Sequence, residues 1–149
     1  MLDFGFGSGN FDKFISKSGY DFIVENYDPN YSGSSFNIET DFDLVDWNKI
    51  DVIYSNQVFE HVKKFPYLLD VMYRKAKRGT HLVFSMPILG FVVKEFGELA
   101  YTLQIQDHKS LYIEGAFEEL LKKSSWKAVY FKEEYLQKEY ARLSKGSAH

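Results

Sequence analysis

Short apolar, strand-type runs alternate with stretches of helical periodicity along this chain, and that alternation restricts its fold more than any other feature. Met1-Leu2-Asp3-Phe4 reads as the end of a strand, and Phe22-Ile23-Val24, within Tyr20 to Tyr27, as a second, buried one. Asp51-Val52-Ile53-Tyr54-Ser55 and His81-Leu82-Val83-Phe84-Ser85 are the third and fourth. The third is apolar and β-branched directly after a charged turn, as in strands covered on both faces. Between the strands, Phe11, Phe14 and Ile15 stand at i, i+3 and i+4, and Phe65, Leu68, Leu69, Met72 and Ala76 repeat at helical spacing. The expected fold class is therefore α/β: a doubly wound, mostly parallel sheet with helices on both faces.

Local signals punctuate this pattern. Ser8 or Asn10 can cap the first helix, and Gly19 sits where a glycine ends one. Pro66 opens the next helix, Lys77-Arg78-Gly79 closes it, and Pro87 stops the fourth strand. Phe36 to Ile38 reads as a weak strand before an acidic turn through Asp41, Asp43 and Asp46. Between Ile88 and Tyr112 the pattern loosens. Leu111 to Lys123 reads as a helix buried through Phe117, Leu120 and Leu121, Trp126 to Phe131 as a last strand, and Glu133 to Ser144 as a helical tail. Residues 1–149 are read as one domain, with 88–112 as the segment that covers an acceptor.

Composition excludes several classes of function. The chain has no cysteine, so a disulfide framework, a thiolate metal site and a cysteine nucleophile are all ruled out. With 18 Lys+Arg against 21 Asp+Glu, the net charge of -3 supplies no broad basic field, and nucleic acid is not an expected partner. No apolar run approaches the length of a membrane span, and a cytoplasmic location is expected. Aromatic residues make up 18% of the chain, more than a small core should need, so some are expected to line a pocket or an interface.

Gly5-Phe6-Gly7-Ser8-Gly9-Asn10 forms a glycine-rich turn between the first strand and the first helix. Such a turn lets the backbone approach a ligand and aims free N–H groups and the positive helix end at it. A dinucleotide fingerprint would have a further glycine at Asn10, and Asp3 would repel a pyrophosphate while attracting an ammonium or sulfonium group. Both points oppose a dinucleotide-dependent oxidoreductase. Asp28 closes the second strand roughly 20 residues beyond the glycines, where nucleotide sites of this class place a carboxylate for ribose hydroxyls. Together Asp3 and Asp28 describe a site for an amino-acid-bearing nucleoside.

At these positions the chain resembles the class I S-adenosylmethionine-dependent methyltransferases, from Leu2 to about Phe131. Leu2-Asp3-Phe4-Gly5-Phe6-Gly7-Ser8-Gly9 looks like their first motif, and Val24-Glu25-Asn26-Tyr27-Asp28-Pro29 like their second. Asp51-Val52-Ile53-Tyr54-Ser55-Asn56-Gln57-Val58-Phe59-Glu60-His61-Val62 looks like their fourth. The resemblance implies S-adenosylmethionine as cofactor, S-adenosylhomocysteine as product and a Rossmann-like methyltransferase fold. Against that fold the first strand is short, and one strand rather than a hairpin follows Phe117. It further implies that Asp3, Phe4 and the Gly5, Gly7, Gly9 turn hold the methionine moiety, that Asp28 with Pro29 takes the ribose, and that Asp41 contacts the adenine amine, with Asp43 as a substitute. Asn56 and Gln57 would lie under the cofactor.

Methyl transfer is an in-line displacement, so the protein has mainly to align a nucleophile and exclude water. His61 and His108 are the candidate bases for an acceptor that must lose a proton. Oxygen and imidazole ligands from Glu60, His61 and His108 could hold Mg²⁺ or a similar ion, but no metal is expected, because Gln57, one turn earlier, offers only a neutral amide and no RNA-binding surface is evident beside them. Phe91, Phe96, Tyr101 and Tyr112 are candidates for an apolar acceptor pocket. The expected activity is methylation of a small-molecule acceptor, with oxygen preferred and nitrogen and carbon left open. The alternative is an inactive methyltransferase-like module that binds nucleoside or a protein partner. A homodimer stays open as an assembly.

Overall fold

A computed structural model of the chain describes residues 1–90, 93, 97 and 106–128. They group into two compact units: Met1–Phe59 with Arg74–Met86, and Glu60–Tyr73 with the residues from Pro87 onward.

The first unit holds β1 (Leu2–Phe4), α1 (Asn10–Ser18), β2 (Glu25–Tyr27), β3 (Val52–Asn56) and β4 (His81–Ser85). The strands form one sheet in the order β2-β1-β3-β4, and every pairing is parallel. Strand order thus reverses at β1, which is the doubly wound pattern and puts the ligand crevice beyond the carboxyl ends of β1 and β3. All three residues of β1 are buried, as the middle of such a sheet requires. Its Leu2 pairs with Glu25 on one side and Ile53 on the other, and Asp3 with Asn26 and Tyr54.

Aromatic rings fill much of this core. Phe4 stacks on Tyr27 at 4.9 Å between centroids, Phe59 meets Phe4 at 5.8 Å and Phe84 at 5.1 Å, and Phe42 meets Trp47 at 4.9 Å. A good part of the aromatic excess is therefore core packing.

Four local expectations are corrected. The second strand is Glu25–Tyr27, in register with Leu2–Phe4, while Phe22 and Ile23 are exposed; Met1 still reaches back, its amino group donating to Ile23 O at 2.7 Å. Phe36 to Ile38 forms no strand. The backbone there reduces to one bridge between Tyr27 and Glu39, in which Glu39 N–H donates to Asn26 O at 2.9 Å. Neither Ser8 nor Asn10 caps α1: Gly9, in a left-handed conformation, holds the N-cap position without a side-chain cap. Of the stripe Phe11, Phe14, Ile15, only Ile15 is buried. Gly19 ends α1 in the left-handed conformation, as expected.

The second unit contains most of α2 (Phe65–Lys75), the two-residue parallel strands β5 (Ile88–Leu89) and β6 (Tyr112–Ile113), and α3 (Glu114–Lys123). Phe65, Leu69, Met72 and Phe117 are buried. Tyr112 meets Phe65 at 6.1 Å and Phe117 at 5.9 Å, so it packs within this unit. Leu120 and Leu121 are half-buried. α3 starts at Glu114 instead of Leu111, because Tyr112 and Ile113 are taken up by pairing with β5.

Trp126 is not in a strand; its indole N–H donates to Leu69 O at 2.9 Å and its ring meets Tyr73 at 5.6 Å. The rest of the strand expected to Phe131, the tail helix and Phe91, Phe96 and Tyr101 lie outside the described residues. Among the described residues, no helix is long and apolar enough to cross a membrane.

Candidate functional site

The turn from β1 into α1 is built by glycines that other residues could not replace. Gly5 has φ +92°, and a Cβ there would collide with Val58 Cγ2. Gly9 has φ +71°, and its Cβ would come within 2.6 Å of the Phe6 ring. The left-handed region is costly for residues with a Cβ, and here the space is closed as well. Gly7 differs, since a Cβ there would meet only Gly5 O, at 3.9 Å. Its flank is open. Gly5 N–H donates to Tyr27 O at 2.8 Å, which ties the turn to the end of β2.

Asp28 supplies the second tie. Its Oδ2 accepts Gly7 N–H at 3.1 Å, and its Oδ1 accepts Asn30 N–H at 2.9 Å. Each carboxylate oxygen keeps a further lone pair for a ligand hydroxyl. Pro29, beside it, is exposed.

A cleft of ≈ 540 Å³ opens beside the turn. Of the residues expected to bind cofactor, it brings together Asp3, Gly5, Gly7 and Asn56. The cleft does not include Phe4, Gly9, Asp28, Pro29, Asp41 or Gln57. Phe4 is committed to the aromatic core. Asp41 is exposed, with its Oδ1 accepting Asp43 N–H at 2.9 Å, and Asp43 itself pairs with Lys75 at 2.7 Å. Gln57 stands at φ +55°, held by its N–H to Ser85 O at 2.9 Å, and its side-chain amide donates to Ser85 Oγ at 3.3 Å. That hydroxyl in turn donates to Asn56 Oδ1. The Asn56-Gln57 corner is therefore locked to the end of β4.

Sequence reasoning missed the aromatic wall. Phe11 of α1 stacks on Tyr54 of β3 at 3.9 Å with an interplanar angle of 17°, and both line the cleft with Phe6 and Phe14. Helical spacing placed Phe11 and Phe14 on one helix face with Ile15 and said nothing of a cleft. The available signal was their position one turn past the glycine turn in a chain with aromatics to spare.

Asp3 dominates the electrostatics. It is 3% exposed, and burial, with smaller repulsion from Asp12 and Asp28, raises its pKa from 3.8 to about 6. Burial and the nearby Asp3 charge also push up the Tyr54 hydroxyl. A buried acid whose charged neighbours are acids stands ready for a cation.

His61 and His108 belong to the second unit, with ring centroids 5.0 Å apart at 68°. His61 Nδ1 donates to Asp107 O at 3.1 Å. Glu60, 1% exposed, is next to them, and its carboxyl pKa is raised by burial.

A family model described as a methyltransferase domain matches residues 1–130. No curated protein matches the chain. No solved structure matches it either.

Proposed function

The chain belongs to the class I S-adenosylmethionine-dependent methyltransferase family, and we propose that it uses S-adenosylmethionine to methylate a small-molecule acceptor. The observation that carries this reading is the buried carboxyl of Asp3 at the glycine turn, with Asp12 and Asp28 as its charged neighbours. An ammonium group of the cofactor's methionine end would relieve that excess of negative charge, whereas a dinucleotide's pyrophosphate would add to it.

The residues present fit the cofactor. Asp3 would hold the ammonium, the open flank of Gly7 would admit the methionine backbone, and the spare lone pairs of Asp28 would take ribose hydroxyls. The cofactor supplies a methyl group activated on a sulfonium, and the protein's part is alignment and exclusion of water. The stacked Phe11 and Tyr54 rings give the cleft a dry wall suited to that task. A net charge of -3 and a cleft of ≈ 540 Å³ support a small acceptor over a nucleic acid.

Calorimetric titration with S-adenosylhomocysteine, with NAD as control ligand, tests the cofactor. Micromolar binding of the first alone is expected, weakening about tenfold from pH 7.5 to pH 5 as Asp3 takes up its proton. Equal binding of NAD, or none of either to a folded sample, overturns the assignment. Turnover on a panel of phenols, carboxylates and amines tests transfer, and the oxygen acceptors are expected to react first. Binding without product release across that panel would favour a nucleoside-binding module.

A further inference from the structure

Within the second unit, three potential ligands come together from two chain segments far apart in sequence. Glu60 O accepts Lys109 N–H at 2.6 Å and Ser110 N–H at 3.0 Å, and Val62 O accepts the Ser110 hydroxyl at 2.9 Å. These bonds pin the segment carrying His108 against Glu60 and His61. One carboxylate oxygen and one ring nitrogen from each histidine then lie within 4.8 Å of one another.

Two details separate this group from a chance meeting of polar residues. The Glu60 side chain is 1% exposed, yet its Oε2 has no hydrogen-bond partner. Leaving a carboxylate oxygen buried and unsatisfied is costly, so such an atom calls for an unseen partner. The second detail is the tautomer of His61. Its Nδ1 faces Asp107 O at 3.1 Å, and a carbonyl can only accept, so Nδ1 carries the proton. The lone pair is then on Nε2, which points toward Glu60 Oε1 at 3.9 Å. A carbonyl that orients the far nitrogen of a ligating histidine is the usual support of a metal site.

We propose that Glu60, His61 and His108 bind one divalent transition-metal ion. Two imidazoles and one carboxylate suit zinc, manganese or iron, whereas magnesium and calcium favour all-oxygen sets. Ligand atoms about 2.0–2.2 Å from a tetrahedral ion stand roughly 3.4 Å apart, so the three side chains need only rotate inward. The expectation of no metal weighed the neutral amide of Gln57 as one of the ligands, but that amide donates to Ser85 Oγ, and the three ligands proposed here do not include it. An ion here would occupy the lone pairs that a general base would use. The histidines then act as ligands in place of the base role expected from the sequence.

The test is calorimetric titration of the chelator-treated full chain with ZnCl2, MnCl2 and MgCl2, paired with thermal denaturation. One equivalent of zinc is expected to bind at micromolar or tighter Kd and raise Tm, manganese to bind more weakly, and magnesium at least 100-fold more weakly than zinc. His61→Ala and His108→Ala should each weaken zinc binding by at least tenfold, while His81→Ala, on the sheet of the first unit, should not. Glu60→Gln keeps the side-chain shape and should also weaken zinc. Cobalt bound in place of zinc gives a visible spectrum that His61→Ala should alter, a readout that a purely structural role would not move. No zinc binding by folded protein, zinc affinity unchanged in both histidine variants, or magnesium binding equal to zinc would each overturn the proposal.

Discussion

Asp3, the proposed anchor of the cofactor's ammonium group, carries a cost in stability. Its pKa is 3.8 in the unfolded chain and about 6 in the folded one, so the folded state holds a proton more tightly. Stability from this group is fully present below pH 3.8 and lost as pH rises toward 6. Asp3→Asn removes the penalty. It is expected to stabilise the chain by about 3 kcal/mol at pH 7.5 and about 1 kcal/mol at pH 4.5, while weakening S-adenosylhomocysteine binding at least tenfold. Urea denaturation at the two pH values checks the first part; a gain independent of pH would refute the linkage. Gln57 carries a second local cost, as a non-glycine residue at φ +55°. Gln57→Gly should be about 1 kcal/mol more stable than Gln57→Ala, since both lose the amide and only alanine keeps the left-handed strain. Equal midpoints for the pair would mean that the backbone relaxes.

Elements were legible where a periodic run was long and its partners were available. β3 and β4 appear within one residue of expectation because five-residue β-branched or aromatic runs bounded by charge and proline have few alternatives. β2 moved to Glu25–Tyr27 because the partner strand sets the register, and a run such as Phe22-Ile23-Val24 does not reveal where its neighbour ends. β5 and β6 are two residues each, too short to carry a period. The site was read unevenly for the same reason. Asp3 and the glycines are specified by local backbone demands, whereas the Phe11–Tyr54 wall exists only once α1 meets β3. Position in the sheet also sets what a side chain contributes. Ile53 of β3 is fully buried, with a strand on each side, and Val83 of β4, the last strand of the sheet among the described residues, is 51% exposed. Ile53→Ala should therefore cost about 2–5 kcal/mol, and Val83→Ala less than about 1 kcal/mol. Chemical denaturation of both variants measures this, and comparable losses would show that β4 is covered as deeply as β3.

At the scale of the whole molecule, charge decides which acceptors can approach. The chain carries 21 acidic against 18 basic residues, and several of its lysines are already paired. Lys75 meets Asp43, Lys77 meets Asp51, Lys49 meets Asp46 and Lys122 meets Glu119. These are surface pairs of small individual worth, but each cancels a positive charge that a phosphate backbone would need. Binding to nucleic acid releases counterions in proportion to the phosphates neutralised, so it weakens steeply with salt, by about 10³–10⁵ between 50 and 200 mM for six to ten contacts. A small acceptor in a cleft walled by Phe11, Phe14 and Tyr54 has no such dependence, since apolar burial is little altered over that range. Fluorescence anisotropy with a labelled single-stranded RNA should therefore show no saturable binding at 150 mM salt, while S-adenosylhomocysteine affinity stays within about twofold from 50 to 200 mM. Tight RNA binding with a steep salt slope would mean that the paired lysines exchange their carboxylates for phosphates, and the acceptor would then have to be sought among nucleic acids.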